Sequence, residues 1–182
     1  MHYTLCDMFA DLTQNAVEAA SSEITIEIDE TENALTAYIR DNGKGMDSET
    51  LKKAENPFYT DGEKQPQRKT GMGIPFLIQT AEATDGEWNI TSQKGEGTTV
   101  YMRFNLKNID TPPIGSIPLF FRQAFTFEKN YEMTIIRKKN TENIHLQYAL
   151  KRSEIADALG GFETASQLSL LGDFLKSQEE IE

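Results

Sequence analysis

Leu35-Thr36-Ala37-Tyr38-Ile39-Arg40-Asp41-Asn42-Gly43-Lys44-Gly45-Met46 alternates apolar and polar side chains and then breaks into a loop of polar residues and glycines. Alternation with a period of two marks a strand with one buried face. The loop presents Asp41-x-Gly43-x-Gly45. Two glycines at that spacing serve either a tight turn that needs positive φ or the close approach of a flat ligand to bare backbone. In the second case a partly buried Asp41 can accept from an exocyclic amine such as that of adenine. Just upstream, Ile24, Ile26 and Ile28 alternate with Thr25, Glu27 and Asp29, so a second strand pairs with the first across the polar turn from Glu30 to Asn33.

Before these strands, Leu5, Phe9, Leu12, Ala16 and Ala20 are spaced four, three, four and four, which predicts an amphipathic helix over 3–21. Asp7, Asp11, Asn15 and Glu18 form a polar stripe beside the apolar face. Such a stripe by itself describes a solvated helix face. Its functional alternative is a carboxylate and an amide aimed at one metal-bound phosphate, and oxygen donors of this kind suit magnesium.

After the quoted loop, a short helix is expected near Ser48 to Glu55, ending before Pro57. Residues 56–70 form a loop long enough to be read as a lid. Gly71-Met72-Gly73 opens a further helix over 74–83, with Pro75 in its first turn. Trp88, Ile90 and Ser92, then Val100, Met102 and Phe104, form another hairpin around Gly95-Glu96-Gly97. The pattern is α+β: a two-layer α/β sandwich whose mixed, largely antiparallel sheet is covered by helices on one face. The expected organisation is an N-terminal domain over 1–106, a linker over 107–118 containing Pro112, Pro113, Gly115 and Pro118, and a small C-terminal α+β subdomain over 119–182. In that last part a helix is expected over 119–127, strands over 131–139 and 143–151, and helices over 153–160 and 164–180. Phe120, Phe121, Phe125 and Phe127 there are either core or a docking patch.

The Lys69-Thr70-Gly71-Met72-Gly73 turn feeds a helix N-terminus, where backbone amides can cradle phosphate oxygens. It has neither the spacing of a P-loop nor the preceding strand of a dinucleotide fingerprint. Lys64, Arg68 and Lys69 put positive charge beside this turn, although the 182-residue chain carries 18 Lys and Arg against 29 Asp and Glu, for a net charge of −11. That imbalance argues against a nucleic-acid surface. No apolar run approaches the roughly 18 residues of a membrane span, and the N-terminus lacks a signal-peptide layout, so a cytoplasmic, membrane-free protein is expected. The single Cys6 allows no internal disulfide and no Cys-based zinc site, and its place beside Leu5 and Phe9 assigns it to the core.

Taken together, Asp11-x-x-x-Asn15, Asp41-Asn42-Gly43-Lys44-Gly45-Met46, Asn56-Pro57-Phe58-Tyr59-Thr60, Gly71-Met72-Gly73 and Gly97-Thr98-Thr99-Val100 resemble, in order, the successive boxes of the GHKL superfamily. Its members include DNA gyrase, heat-shock chaperone, histidine kinase and mismatch-repair ATPases. The resemblance covers about residues 3–105. Within the superfamily the lid and the Gly97-Thr98-Thr99-Val100-Tyr101 stretch look closest to anti-sigma-factor serine kinases. The whole chain is similar to stand-alone ATP-binding proteins encoded beside hydrogenase genes in anaerobes.

The resemblance implies ATP and magnesium as cofactors. Asn15 would ligate the magnesium, and Asp11 stands where hydrolysing members carry a general base. Asp41 would bind the adenine amine, with Gly45 against the base and Thr98 supporting a water network. Arg68, Lys69, Gly71 and Gly73 would contact phosphates, and Gly43, Met46, Thr60, Lys64, Thr70 and Met72 would line the same nucleotide. Asp11 is one methylene shorter than the family's usual Glu, and Lys69 replaces a common glycine. The chain starts almost at the first box, and neither His2 nor His145 lies in a helical phosphoacceptor segment, so it is not expected to autophosphorylate by itself. The expected function is a Mg-ATP-binding ATPase or Ser/Thr protein kinase-like regulator with a nucleotide-responsive lid. The alternative is a non-catalytic nucleotide-sensing adaptor docking to a partner enzyme. A protein partner, of a redox or hydrogenase system, is implied in either case, and the sequence leaves oligomeric state open.

Overall fold

The structure is a computed structural model and describes residues 3–56 and 73–180. Helix α1 (Leu5–Glu18) begins at a capping box, in which the Thr4 hydroxyl accepts from the Asp7 amide and the Asp7 carboxylate accepts from the Thr4 amide. Two more of the amides that a helix start leaves unpaired, those of Leu5 and Cys6, donate to the carbonyls of Pro113 and Ile114 at 2.9 Å each. The proline-containing stretch expected as a linker therefore closes the N-terminus of α1. Thr4→Ala is expected to cost about 1 kcal/mol, read as a fall of about 2–4 °C in a thermal melt.

The remaining elements are β1 (Glu23–Thr31), β2 (Ala34–Asp41), α2 (Ser48–Glu55), α3 (Gly73–Ala83), β3 (Glu87–Gln93), β4 (Gly97–Asn105), α4 (Ile117–Phe125), β5 (Glu132–Asn140), β6 (His145–Lys151), α5 (Arg152–Leu159) and α6 (Ala165–Glu179). The strands form one sheet in the order β3-β4-β2-β1-β5-β6. Every neighbouring pair is antiparallel except β1 with β5. Ile24, Ile26, Ile28, Ala37, Ile39, Val100, Met102, Phe104, Met133 and Ile135 point to one face and are buried. They meet Leu5, Met8, Phe9 and Leu12 of α1, Leu77 of α3, Phe120 and Phe121 of α4 and Leu171 of α6 in a single core. The alternate residues, among them Glu27, Asp29, Tyr38, Arg40, Tyr101 and Arg103, line the uncovered face. The α+β architecture, with helices on one side of a mixed sheet, is as expected.

Residues 119–180 do not stand apart. Strand β5 runs parallel to β1 from Glu23 opposite Glu132 to Thr31 opposite Asn140, so the C-terminal strands complete the sheet rather than building a second one. Phe120, Phe121 and Phe125 are buried, and Phe120 packs edge-on against Phe9 with ring centroids 5.8 Å apart. This removes these three rings from any docking patch. The physical reason is area: α1 packs against β2 and α4, and without α4 and β5 its outer flank and the β1 edge would face water.

Candidate functional site

The strand parity that builds the core also gathers the site. Asp41 shares the helix-facing side of β2 with Ile39, Thr98 shares that side of β4 with Val100, and Ser92 that of β3 with Ile90. All three stand at one end of the sheet, where α1 finishes and the chain turns through Ser21 into β1. Asp41 Oδ1 accepts from the Gly43 amide at 2.8 Å and from the Ser21 hydroxyl at 3.0 Å. Burial pushes the Asp41 carboxyl above its ordinary range, and this outweighs the lowering by the Gly43, Ser21 and Thr98 donors. An acceptor held half out of water, with its local donors already satisfied, is suited to take one further hydrogen bond from a ligand.

The Asp41–Met46 loop is clamped on both sides. The Lys44 amide donates to the Ala19 carbonyl at the end of α1, and the Gly95 amide donates to the Lys44 carbonyl at 2.7 Å. The Met46 amide donates to Ser92 Oγ at 2.8 Å, and Ser92 Oγ lies 2.9 Å from Thr98 Oγ1. Glycine is required at two points here. A Cβ on Gly45, at φ +58°, would lie 1.9 Å from the Gln93 carbonyl oxygen, and one on Gly97, at φ +115°, would lie 1.9 Å from the Asp41 carbonyl oxygen. The backbone crossing therefore needs Gly45 whether or not a ligand is bound.

The second half of the site lies along α1. A Cβ on Gly73, the first residue of α3, would meet Asp11 Cβ and a Leu12 methyl at 3.4 Å and Asn15 Nδ2 at 3.7 Å. Asp11, Asn15 and Gly73, far apart in the chain, thus share one contact. Of the other stripe residues, Asp7 is spent in the capping box and Glu18 accepts from Gln14. Asp11 Oδ2 accepts from the Tyr3 hydroxyl at 2.8 Å. Thr60, Lys64, Arg68, Lys69, Thr70, Gly71 and Met72, with the lid read over 56–70 apart from Asn56, lie outside the described residues.

Sequence reasoning missed Tyr3, Ser21 and Ser92. Ser92 carried a signal, being a polar residue at the inward parity of a strand whose other inward residues are Ile90 and Trp88. Ser21, almost fully buried between a helix and a strand, carried a weaker one. Two shallow grooves, lined in part by Glu27, Asp29, Tyr38 and Lys138 and by Thr31, Lys139 and His145, open on the uncovered side and far end of the sheet, away from this cluster.

Residues 3–108 match the profile of the histidine kinase-, DNA gyrase B- and HSP90-like ATPases, a span that includes Asp11, Asn15, Asp41, Gly73 and Thr98. The chain belongs to this ATPase family. Sporulation kinase C of Bacillus subtilis is 31% identical over 106 residues, which is 57% of this chain and 24% of that protein. Sensor histidine kinase YvrG of the same organism is 29% identical over 97 residues, 52% of this chain and 17% of its own. The chain thus spans a quarter or less of these relatives. A crystal structure of the N-terminal domain of a DNA repair protein aligns with 91% of this chain and 58% of its own, at a TM-score of 0.51 and 14% identity, a likeness of fold that extends past residue 108. The catalytic domain of the histidine kinase ThkA aligns with 54% of this chain and 63% of its own, at a TM-score of 0.41 and 19% identity.

Membership of the ATPase family supports ATP binding by this chain. For a cation the described residues fit in part. They include no group of three or more His, Cys, Asp or Glu able to hold a metal by themselves. Asn15 and Asp11, one turn apart, offer hard oxygens of the kind magnesium takes when phosphates and water complete its shell. None of the described helices is long and apolar enough to cross a membrane.

Proposed function

We propose that this chain binds Mg-ATP with the adenine amine on Asp41, Gly45 and Thr98 beside it, and the phosphates at the N-terminus of α3, and that it acts on the γ-phosphoryl group. The carrying observation is the meeting of Asp11 and Asn15 with Gly73, while α1 ends one turn later at the Asp41 loop. One helix thereby reaches both ends of a nucleotide. Magnesium, held by Asn15 and phosphate oxygens, supplies charge neutralisation. Asp11 accepts the proton of the attacking hydroxyl as the new O–P bond forms and the β–γ bridging oxygen departs with ADP, catalysis being mainly positioning and charge. The attacker is water in an ATPase, or a Ser or Thr hydroxyl of a protein partner in the kinase form suggested by the anti-sigma-factor likeness. Arg68, Lys69 and Gly71 are assigned to the phosphates, and Thr60, Lys64, Thr70 and Met72 to the lining of the same nucleotide, on sequence alone. A cytoplasmic setting and a partner of redox or hydrogenase type belong to the same reading.

A second reading, a nucleotide-sensing adaptor without turnover, is favoured by Asp11 itself, which is one methylene shorter than the glutamate usual at that place and so reaches less far toward an attacking group. Incubation with γ-labelled ATP, in the presence and absence of co-purified protein, separates the readings. Free phosphate or labelled partner that drops about 100-fold or more in Asp11→Asn is the expected result. Binding without release or transfer of label would reject catalysis and leave the adaptor.

A further inference from the structure

We infer that Tyr3 is a positioning residue that orients the Asp11 carboxylate for proton acceptance, an assignment that rests on the role proposed for Asp11 above. An aspartate carboxylate turns freely about its last torsion, which is broad and roughly two-fold. Asp11 is also too short to gain its orientation from reach. The Tyr3 hydroxyl donates to Asp11 Oδ2 at 2.8 Å and so fixes that torsion, which leaves Oδ1 for the incoming proton. The ring of Tyr3 is itself fixed: it packs edge-on against Phe76 of α3 with centroids 4.4 Å apart. Phe76 sits three residues after Gly73, the residue that lies against Asp11 and Asn15. One side chain therefore ties the orientation of the carboxylate on α1 to the helix whose start would receive the phosphates. Burial, then the bond to Asp11, raises the phenol above the ordinary tyrosine range, so it remains a donor at any working pH.

Tyr3→Phe keeps the ring on Phe76 and deletes only the donor. Steady-state ATP turnover and Mg-ADP affinity are compared in the full chain for wild type, Tyr3→Phe, Asp11→Asn and the double variant. Tyr3→Phe is expected to lower kcat about tenfold or more while KM and the Mg-ADP dissociation constant stay within about twofold. In the Asp11→Asn background it is expected to change nothing further, because the group it orients is gone. A thermal midpoint close to wild type for Tyr3→Phe separates orientation from loss of fold.

Wild-type or higher kcat in Tyr3→Phe overturns the inference, as does an equal loss in both backgrounds, which would mark a merely structural contact. Turnover that falls in Asp11→Asn but not in Tyr3→Phe removes only Tyr3 from the mechanism. Turnover indifferent to Asp11→Asn, or absent from the wild type, removes the base and Tyr3 together.

Discussion

Mg-ADP held at about 100 times its dissociation constant is expected to add about 2.7 kcal/mol to the folded state, a rise of about 5–10 °C in Tm for a chain of this size. Asp41→Asn is expected to abolish that rise. The asparagine keeps Oδ1 for the Gly43 amide and the Ser21 hydroxyl, so those two bonds of the loop are retained. It presents an NH2 where the adenine amine requires an acceptor, and two donors then face each other in a half-buried site. The unliganded variant should be no less stable than wild type at neutral pH, for an electrostatic reason. Burial raises the Asp41 carboxyl in the folded protein, so the folded state binds this proton more readily than the unfolded chain does. The ionised form therefore costs stability at pH above the raised value, and the cost fades as pH falls through it. The Tm advantage of Asp41→Asn should shrink in the same window, and wild-type affinity for Mg-ADP should weaken there as the acceptor becomes protonated. Calorimetric melts from pH 7 downward, with and without Mg-ADP, measure both. A variant that still responds fully to Mg-ADP would put the adenine elsewhere.

The elements that carry the site were legible because each is specified locally. The period of α1, the alternation of β1 and β2 and the Asp41-x-Gly43-x-Gly45 loop are each read within a short local stretch, and the structure keeps these elements within three residues of their expected bounds. What the sequence hid is pairing at a distance. Nothing in Glu132–Asn140 announces β1 as its parallel neighbour, because an alternating strand fits either edge of a sheet, and the hairpin with β6 was the nearest solution. The Pro112-Pro113 stretch looked like a spacer for a related reason: it contributes carbonyls, to the amides of Leu5 and Cys6, and a carbonyl is common to every residue type. Tyr3 lies ahead of the helix and eight positions from Asp11, about 12 Å along a helix axis, so regular helical spacing would not bring the two side chains into contact. Ser21 and Ser92 act through single hydroxyls, whose geometry comes only from the crossing of the α1 end, the Asp41 loop and the β3–β4 turn.

Arg137→Met is expected to destabilise the chain by about 3–5 kcal/mol, because it leaves Glu179 without its cation and Glu30 with Lys139 alone in a largely buried cluster. Arg137 lies on the inward side of β5 with 0% of its surface exposed. Its Nε donates to Glu179 Oε1 of α6 at 3.0 Å, one terminal nitrogen donates to Glu30 of β1 and, at 3.3 Å, to Glu179 Oε2, and the other donates to the Lys138 carbonyl at 2.7 Å. Tyr148 of β6 donates to Glu179 at 2.6 Å, and Lys139 pairs with Glu30 at 3.1 Å. The network thus joins three neighbouring strands to the last helix, and its failure should lower Tm by about 10 °C or more. Combining Arg137→Met with Glu30→Met, Glu179→Met and Tyr148→Phe, which removes the hydroxyl that would otherwise lose its acceptor, should recover most of the loss, since a buried ion cluster is costly to break and inexpensive to replace entirely with apolar groups. Nucleotide affinity supplies the control. Glu30 stands six residues along β1 from Ile24, the residue opposite Asp41, about 20 Å at strand rise. The single variant, measured below its Tm, should therefore bind Mg-ADP as wild type does. Weakened binding in the folded variant would instead mean that the C-terminal helix and strands bear on the nucleotide site through the sheet they complete.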